Sequence, residues 1–97
     1  MNTDFDIKQD INSLLYITRS PSGQRWQVRY KHPSGLDQTY GTFRFIGLAG
    51  KFYRAIADEL VISYKSDRDG IAPDRLAELS KRLDYDDTQM SIACGLI

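Results

Sequence analysis

Arg25, Gln27, Arg29 and Lys31 occupy every second position of the run Arg25-Trp26-Gln27-Val28-Arg29-Tyr30-Lys31. Alternation of this kind is the signature of a strand with two unlike faces. One face then carries Trp26, Val28 and Tyr30, while the other gathers guanidinium, ammonium and amide groups on a flat surface. An arginine fork can grip two acceptors, a lysine neutralises an anionic oxygen, and an amide offers a donor beside an acceptor. Together they could meet phosphates or base edges. The same residues also suit the ordinary wet face of an antiparallel sheet, which is the competing structural reading.

Other constellations fall short of a reactive site. Cys94 is the single cysteine and His32 the single histidine, which leaves no internal disulfide and no cluster with zinc-ligand spacing. The two could form a nucleophilic dyad only if distant segments met, and the apolar tail around Cys94 predicts a buried, inert thiol. Asp67-Arg68-Asp69-Gly70 hints at a calcium loop, but Lys65 stands at its first ligand position and Leu76 at its closing glutamate. Asp84, Asp86 and Asp87 read as a solvated, capped turn rather than a cation site. With no glycine-rich phosphate loop and no serine elbow, the expectation is a protein without enzymatic activity, metal, cofactor or small-molecule substrate.

Composition sets the frame for these residues. A chain of 97 residues, 41% hydrophobic and 11% aromatic, suits one domain over residues 1–97. The longest mainly apolar region, residues 52–64, is broken by Arg54, Asp58 and Glu59 and is too short and charged to cross a bilayer. No basic start followed by an apolar run lies near Met1, and a cytosolic protein is expected. Charge is segregated along the chain. Residues 18–54 carry seven basic residues against Asp37 alone, whereas the segments before and after are net acidic. Such an arrangement either steers anionic partners to one face or lets the two parts pair with each other.

The elements that would position the alternating run follow from pattern. Residues 1–13 read equally as a frayed arm or as a short helix capped by Thr3 with Asp6 at its third position. Residues 14–19 form a compact apolar and β-branched run ahead of the turn Ser20-Pro21-Ser22-Gly23. His32-Pro33-Ser34-Gly35 is a second turn, with Pro33 presetting its first corner, and residues 36–43 make a third strand. A β-meander over 14–43 results. Residues 48–64 then show two apolar rows at helical spacing. Leu48, Phe52, Ala55, Ile56 and Leu60 form one, and Tyr53, Ala57, Val61 and Tyr64 the other. The helix is therefore expected to touch the sheet on one side and the carboxy-terminal third on the other. Pro73 suits a first helical position, Leu76, Leu79 and Leu83 share a stripe, and Asp86 with Gln89 could cap a last short helix ending at Gly95. The predicted fold is α+β: a three-stranded antiparallel sheet packed on a long central helix (48–64), with a C-terminal helical hairpin in the tail (73–97).

From Tyr16 to Leu60 this order resembles the DNA-binding domain of plant ethylene-response factors and the similar arm-binding domain of tyrosine-type phage integrases. The likeness is carried by Gly23 and Trp26, by Tyr40-Gly41-Thr42-Phe43, and by Ala55 and Ala57. In those families the solvated face of the sheet lies in the major groove of DNA. The resemblance therefore implies a nucleic-acid-binding set of Arg19, Arg25, Gln27, Arg29 and Lys31, with Gln38 as a neighbour on the third strand, and double-stranded DNA as partner. It also allows Trp26 into the groove, while the alternation assigns Trp26 to the core. Two features depart from the pattern: Arg44-Phe45-Ile46-Gly47 stands where an acidic, alanine-rich helix start is usual, and the acidic helical tail has no counterpart.

That tail supports a second expectation. Residues 75–95 have a faint helix-turn-helix cadence, but three aspartates in the turn would repel a phosphate backbone. An acidic helical surface instead suits a protein-binding module or inhibitor that docks on a host nucleic-acid-handling complex, as small phage proteins do. The two expectations differ in which surface is contiguous, the basic sheet or an acidic helical face.

Overall fold

The structure is a computed structural model that describes residues 4–32, 34–66 and 70–95, with side chains from Ile7 onward. The proposed Thr3 cap, the Pro33 corner and the Asp67–Asp69 loop lie outside the described residues. Its elements run α1 (Asp4–Leu14), β1 (Leu15–Arg19), β2 (Trp26–Lys31), β3 (Asp37–Phe43), α2 (Ile46–Lys65) and α3 (Pro73–Ala93). The three strands form one antiparallel sheet in the order β1-β2-β3.

The meander forms where alternation and turn chemistry coincide. At the first turn the Ser20 N–H donates to the Arg25 carbonyl and the Gly23 N–H to the Ser20 carbonyl. Gly23 sits at φ 76°, a left-handed conformation that residues with a Cβ rarely adopt. The register pairs Leu15 with Tyr30, Ile17 with Val28, and Arg19 with Trp26, and across β2 it pairs Trp26 with Phe43 and Val28 with Gly41. Directly opposed residues share a face. The core face is thus built from Leu15, Ile17, Val28, Tyr30 and Phe43, with Trp26 half-buried beside them.

Helix α2 lies under this face. Phe52 and Ile56 are fully buried and Leu60 nearly so, and the Phe43 and Phe52 rings meet at a centroid separation of 5.2 Å. Burying side chains of this size is the main stabilising term, with a Phe-to-Ala truncation typically costing about 3–5 kcal/mol. Helix α3 packs on α2 as expected, and α2 has one further neighbour that the pattern does not single out. This neighbour is the amino-terminal helix α1: the Tyr53 hydroxyl donates to Asn12 Oδ1 at 2.9 Å, and Ile7 and Ile11 join the buried core cluster, while Tyr64 at the far end of the second apolar row stays exposed. The apolar positions of α1 are few, so its pattern suits an arm as well as a helix.

Helix α3 starts at Pro73, whose missing N–H is no loss at a first helical position. It runs antiparallel to α2, since Arg75 near its start pairs with Glu59 while Asp87 near its end meets Arg44. The helical hairpin expected within residues 73–97 is not formed. The expected turn at 84–87 and the separate last helix do not occur; α3 is a single helix through to Ala93. Neither glycine nor proline interrupts residues 74–93, and the aspartates serve other purposes than capping. Asp87 is 8% exposed and accepts the Arg44 backbone N–H at 2.6 Å, while Asp86 faces Arg82 one turn earlier. The helix ends only at Cys94, ahead of Gly95 at φ 74°. No helix among the described residues is long and apolar enough to cross a membrane.

Candidate nucleic-acid interface

With α2 beneath one face of the sheet, the other face is left uncovered. The even-numbered residues of β1, Tyr16 and Thr18, come up beside Arg29 and Gln27 of β2, and Thr39 and Thr42 follow on β3. Lys31 stands exposed at the end of β2, and Arg25 is exposed just ahead of its start. Four of the expected residues are therefore on one surface: Arg25, Gln27, Arg29 and Lys31.

Arg19 and Gln38 are elsewhere. Arg19 opposes Trp26 and so emerges on the core side of the sheet, at its rim. Its guanidinium carbon lies 4.5 Å from the Trp26 ring centroid, and Nη1 donates to the Gly23 carbonyl at 2.8 Å. Cation–π stacking and the hydrogen bond together hold Arg19 against the turn. Gln38 is displaced by a bulge. The register slips between Val28 and Arg29, and one residue of β3 is left over, so that Gln38 opposes Tyr30 rather than Lys31. Its neighbours are a groove lined by His32, Leu36, Tyr40, Ile71 and Leu76. Trp26, which two readings contested, is on the core side with Phe43.

A hydrogen-bonded chain crosses the centre of the open face. The Tyr16 hydroxyl donates to Asp37 Oδ2 at 2.5 Å, Arg29 Nε donates to Asp37 Oδ1 at 3.1 Å, and Arg29 Nη1 reaches Gln27 Oε1 at 3.4 Å. Arg29 and Asp37 retain 28% and 35% side-chain exposure, so both remain open to a ligand. The chain shifts its members' proton affinities. Donation from the Tyr16 hydroxyl, aided by Arg29, holds the Asp37 carboxyl below the ordinary carboxylate value. The same bond to Asp37 raises the Tyr16 phenol, and the Arg29 guanidinium is likewise raised, chiefly by its hydrogen bond to Asp37. The face is consequently less basic than expected. Arg25, Arg29 and Lys31 are opposed by Asp37, which also stands opposite Lys31 in the register.

Tyr16 and Asp37 share this face without belonging to the expected set, although the sequence carries a signal for each. Tyr16 starts the even-numbered set of β1, and Asp37 is the lone acid of the basic segment.

Part of the acidic charge of the helices is paired, while Asp58, Asp74 and Asp84 stand exposed. Glu59 and Glu78 both hold Arg75, at 2.5 and 3.0 Å, and this pairing raises the Arg75 pKa well above its ordinary value. Asp87 is buried on the Arg44 N–H, and Asp86 faces Arg82 at 3.8 Å.

The chain matches no protein-family model, no curated protein and no solved structure. Its chemistry has to be read from its own geometry. His32 and Cys94 lie at opposite ends of α3, since His32 shares a groove with Pro73 and Cys94 caps the other terminus. A 21-residue helix places them about 30 Å apart, which removes the dyad. Cys94 is exposed rather than buried, because the unbroken helix carries its end past the core. Among the described residues no three metal-ligating side chains come together.

Proposed function

We propose that this protein is a small, non-enzymatic DNA-binding module that presents the open face of its sheet to the major groove of duplex DNA. The observation that carries this reading is the uncovered face itself. Arg25, Arg29 and Lys31 stand on it with Gln27, Tyr16 and Thr42 between them, and among the described residues no helix packs over them. Lysine and arginine would neutralise phosphates, and arginine and glutamine would meet base edges. The likeness to ethylene-response-factor and integrase arm-binding domains belongs to the same proposal, as does a cytosolic setting. The implied set is corrected to Arg25, Gln27, Arg29 and Lys31, extended by Tyr16 and Asp37.

Titration of fluorescent duplex DNA over a range of salt concentrations, beside single-stranded DNA, tests the reading. Binding should weaken by roughly one power of salt for each phosphate contacted. Absence of duplex binding at low salt would remove it.

A protein partner is the second reading, and a specific observation favours it. Tyr85 and Ile92 lie two turns apart on the outer side of α3, 62% and 53% exposed. A partner docked there would be recognised by aromatic and aliphatic contacts rather than by charge, and Tyr85→Ala would abolish its binding while leaving DNA affinity unchanged.

A further inference from the structure

Asp37 is the only acid in the three strands. A negative group on a surface that approaches phosphates weakens the approach, so its position there needs a reason. Arg29 bonds Asp37 through Nε, so the Nη1 and Nη2 groups keep protons for other acceptors. The contact of Nη1 with Gln27 Oε1, at 3.4 Å, is long and readily exchanged for a better acceptor. Each Asp37 oxygen has accepted one hydrogen bond and keeps a lone pair for a second donor. A guanidinium fork thus stands beside a carboxylate that can still accept.

Resting on the DNA-binding reading, we infer that Arg29 and Asp37 act together to read one G·C base pair in the major groove. Arg29 donates to O6 and N7 of guanine, and Asp37 accepts from the N4 amino group of the paired cytosine. The major-groove edge of G·C has two adjacent acceptors followed by a donor, which is the complement of this pair, whereas A·T presents a different order and a methyl group. A phosphate has acceptors only. Asp37 repels it and so keeps Arg29 for a base. Tyr16, opposite Arg29 in the register, is the positioning residue, its hydroxyl holding the second carboxylate oxygen of Asp37.

The test compares alternating dG-dC and alternating dA-dT duplexes of equal length by fluorescence anisotropy at fixed salt. The wild-type protein should favour the G·C duplex about tenfold, the scale of one good base contact. Asp37→Ala, with its fold checked by circular dichroism, should lose that preference while binding the A·T duplex as well or better, because a negative charge has gone. Tyr16→Phe should show a partial loss of the same kind. Replacing guanine by 7-deazaguanine, which lacks the N7 acceptor, should weaken the wild type and leave Arg29→Ala unchanged. Equal affinity of the wild type for both duplexes, or an Asp37→Ala protein that keeps the preference, would overturn the inference while the DNA-binding reading stands. A wild type that binds neither duplex at low salt would remove both.

Discussion

Gly41 and Phe52 approach so closely that a Cβ added to the strand residue would lie 2.7 Å from Cε2 of the ring. The sheet can settle on α2 at this depth only because position 41 has no side chain. Phe43 closes the same space from the neighbouring position on that face, 3.1 Å from where the Cβ would be. Gly41→Ala should therefore destabilise the fold by about 1–3 kcal/mol through overpacking. Urea unfolding measures it, and pairing the change with Phe52→Leu should restore part of the loss. An unaltered midpoint for Gly41→Ala would show that α2 is free to shift.

Asp87 is predicted to be structural. Its carboxylate satisfies the Arg44 N–H just ahead of α2, a helix whose N-cap residue Phe45 supplies no side-chain bond. Asp87→Ala would leave that donor without its partner, at a cost of about 1–3 kcal/mol. Thermal unfolding should register the loss, whereas Asp84→Ala, at an exposed position of the same helix, should leave the transition within about 0.5 kcal/mol of wild type.

The cations and the amide of the open face should separate in their salt response. Arg25→Ala and Lys31→Ala should each weaken duplex binding and flatten its salt dependence by about one power. Gln27→Ala should change the preference among sequences, by about 1–3 kcal/mol at one position, with little effect on the slope. Arg19→Ala should leave the slope as it is, because Arg19 is occupied on the other side of the sheet. Identical slopes for Arg25→Ala, Lys31→Ala and wild type would contradict this division.

Acid should act through Asp37. A carboxyl whose folded pKa is depressed contributes stability that is present above its unfolded value and lost as pH falls through the folded one. Asp37 is depressed from 3.8, first by the Tyr16 hydroxyl and then by Arg29. The stability difference between wild type and Asp37→Asn should therefore be constant near neutrality and shrink below about pH 3.8. At the alkaline end, Tyr16 is raised above 10.0 by the same bond, and its ultraviolet titration should move down in Asp37→Asn. A pH-independent difference would mean that the bond contributes nothing in solution.

Much of this fold was legible in the chain because period-two alternation and turn residues agree over residues 14–43. Val28, Tyr30, Phe52, Ile56 and Leu60, all expected in the core, are buried, whereas Trp26, expected with them, is half-buried. The bulge was not legible. Nothing in Asp37-Gln38-Thr39-Tyr40 announces an extra residue, yet it moves Gln38 off the open face and leaves Arg29 diagonal to Asp37. The long α3 was misread for a related reason. Aspartates favour caps when considered locally, and only the fold reveals that Asp87 answers a backbone group 43 residues away. The role of α1 was hidden because its burial depends on a partner surface, Tyr53 and Val61, that lies far along the chain.

Every other element of the fold touches α2: the three strands above it, α1 along one flank and α3 along another. Loosening any one of them exposes part of the same helix, so partial opening offers little gain in chain entropy for the apolar surface it wets. The chain should accordingly unfold as one unit, and the amide protons of α2 from Phe52 to Leu60 should exchange with solvent only when the whole molecule opens. The strand that carries the open face then shares its lifetime with the helix beneath it, and the platform offered to a ligand is as durable as the protein itself.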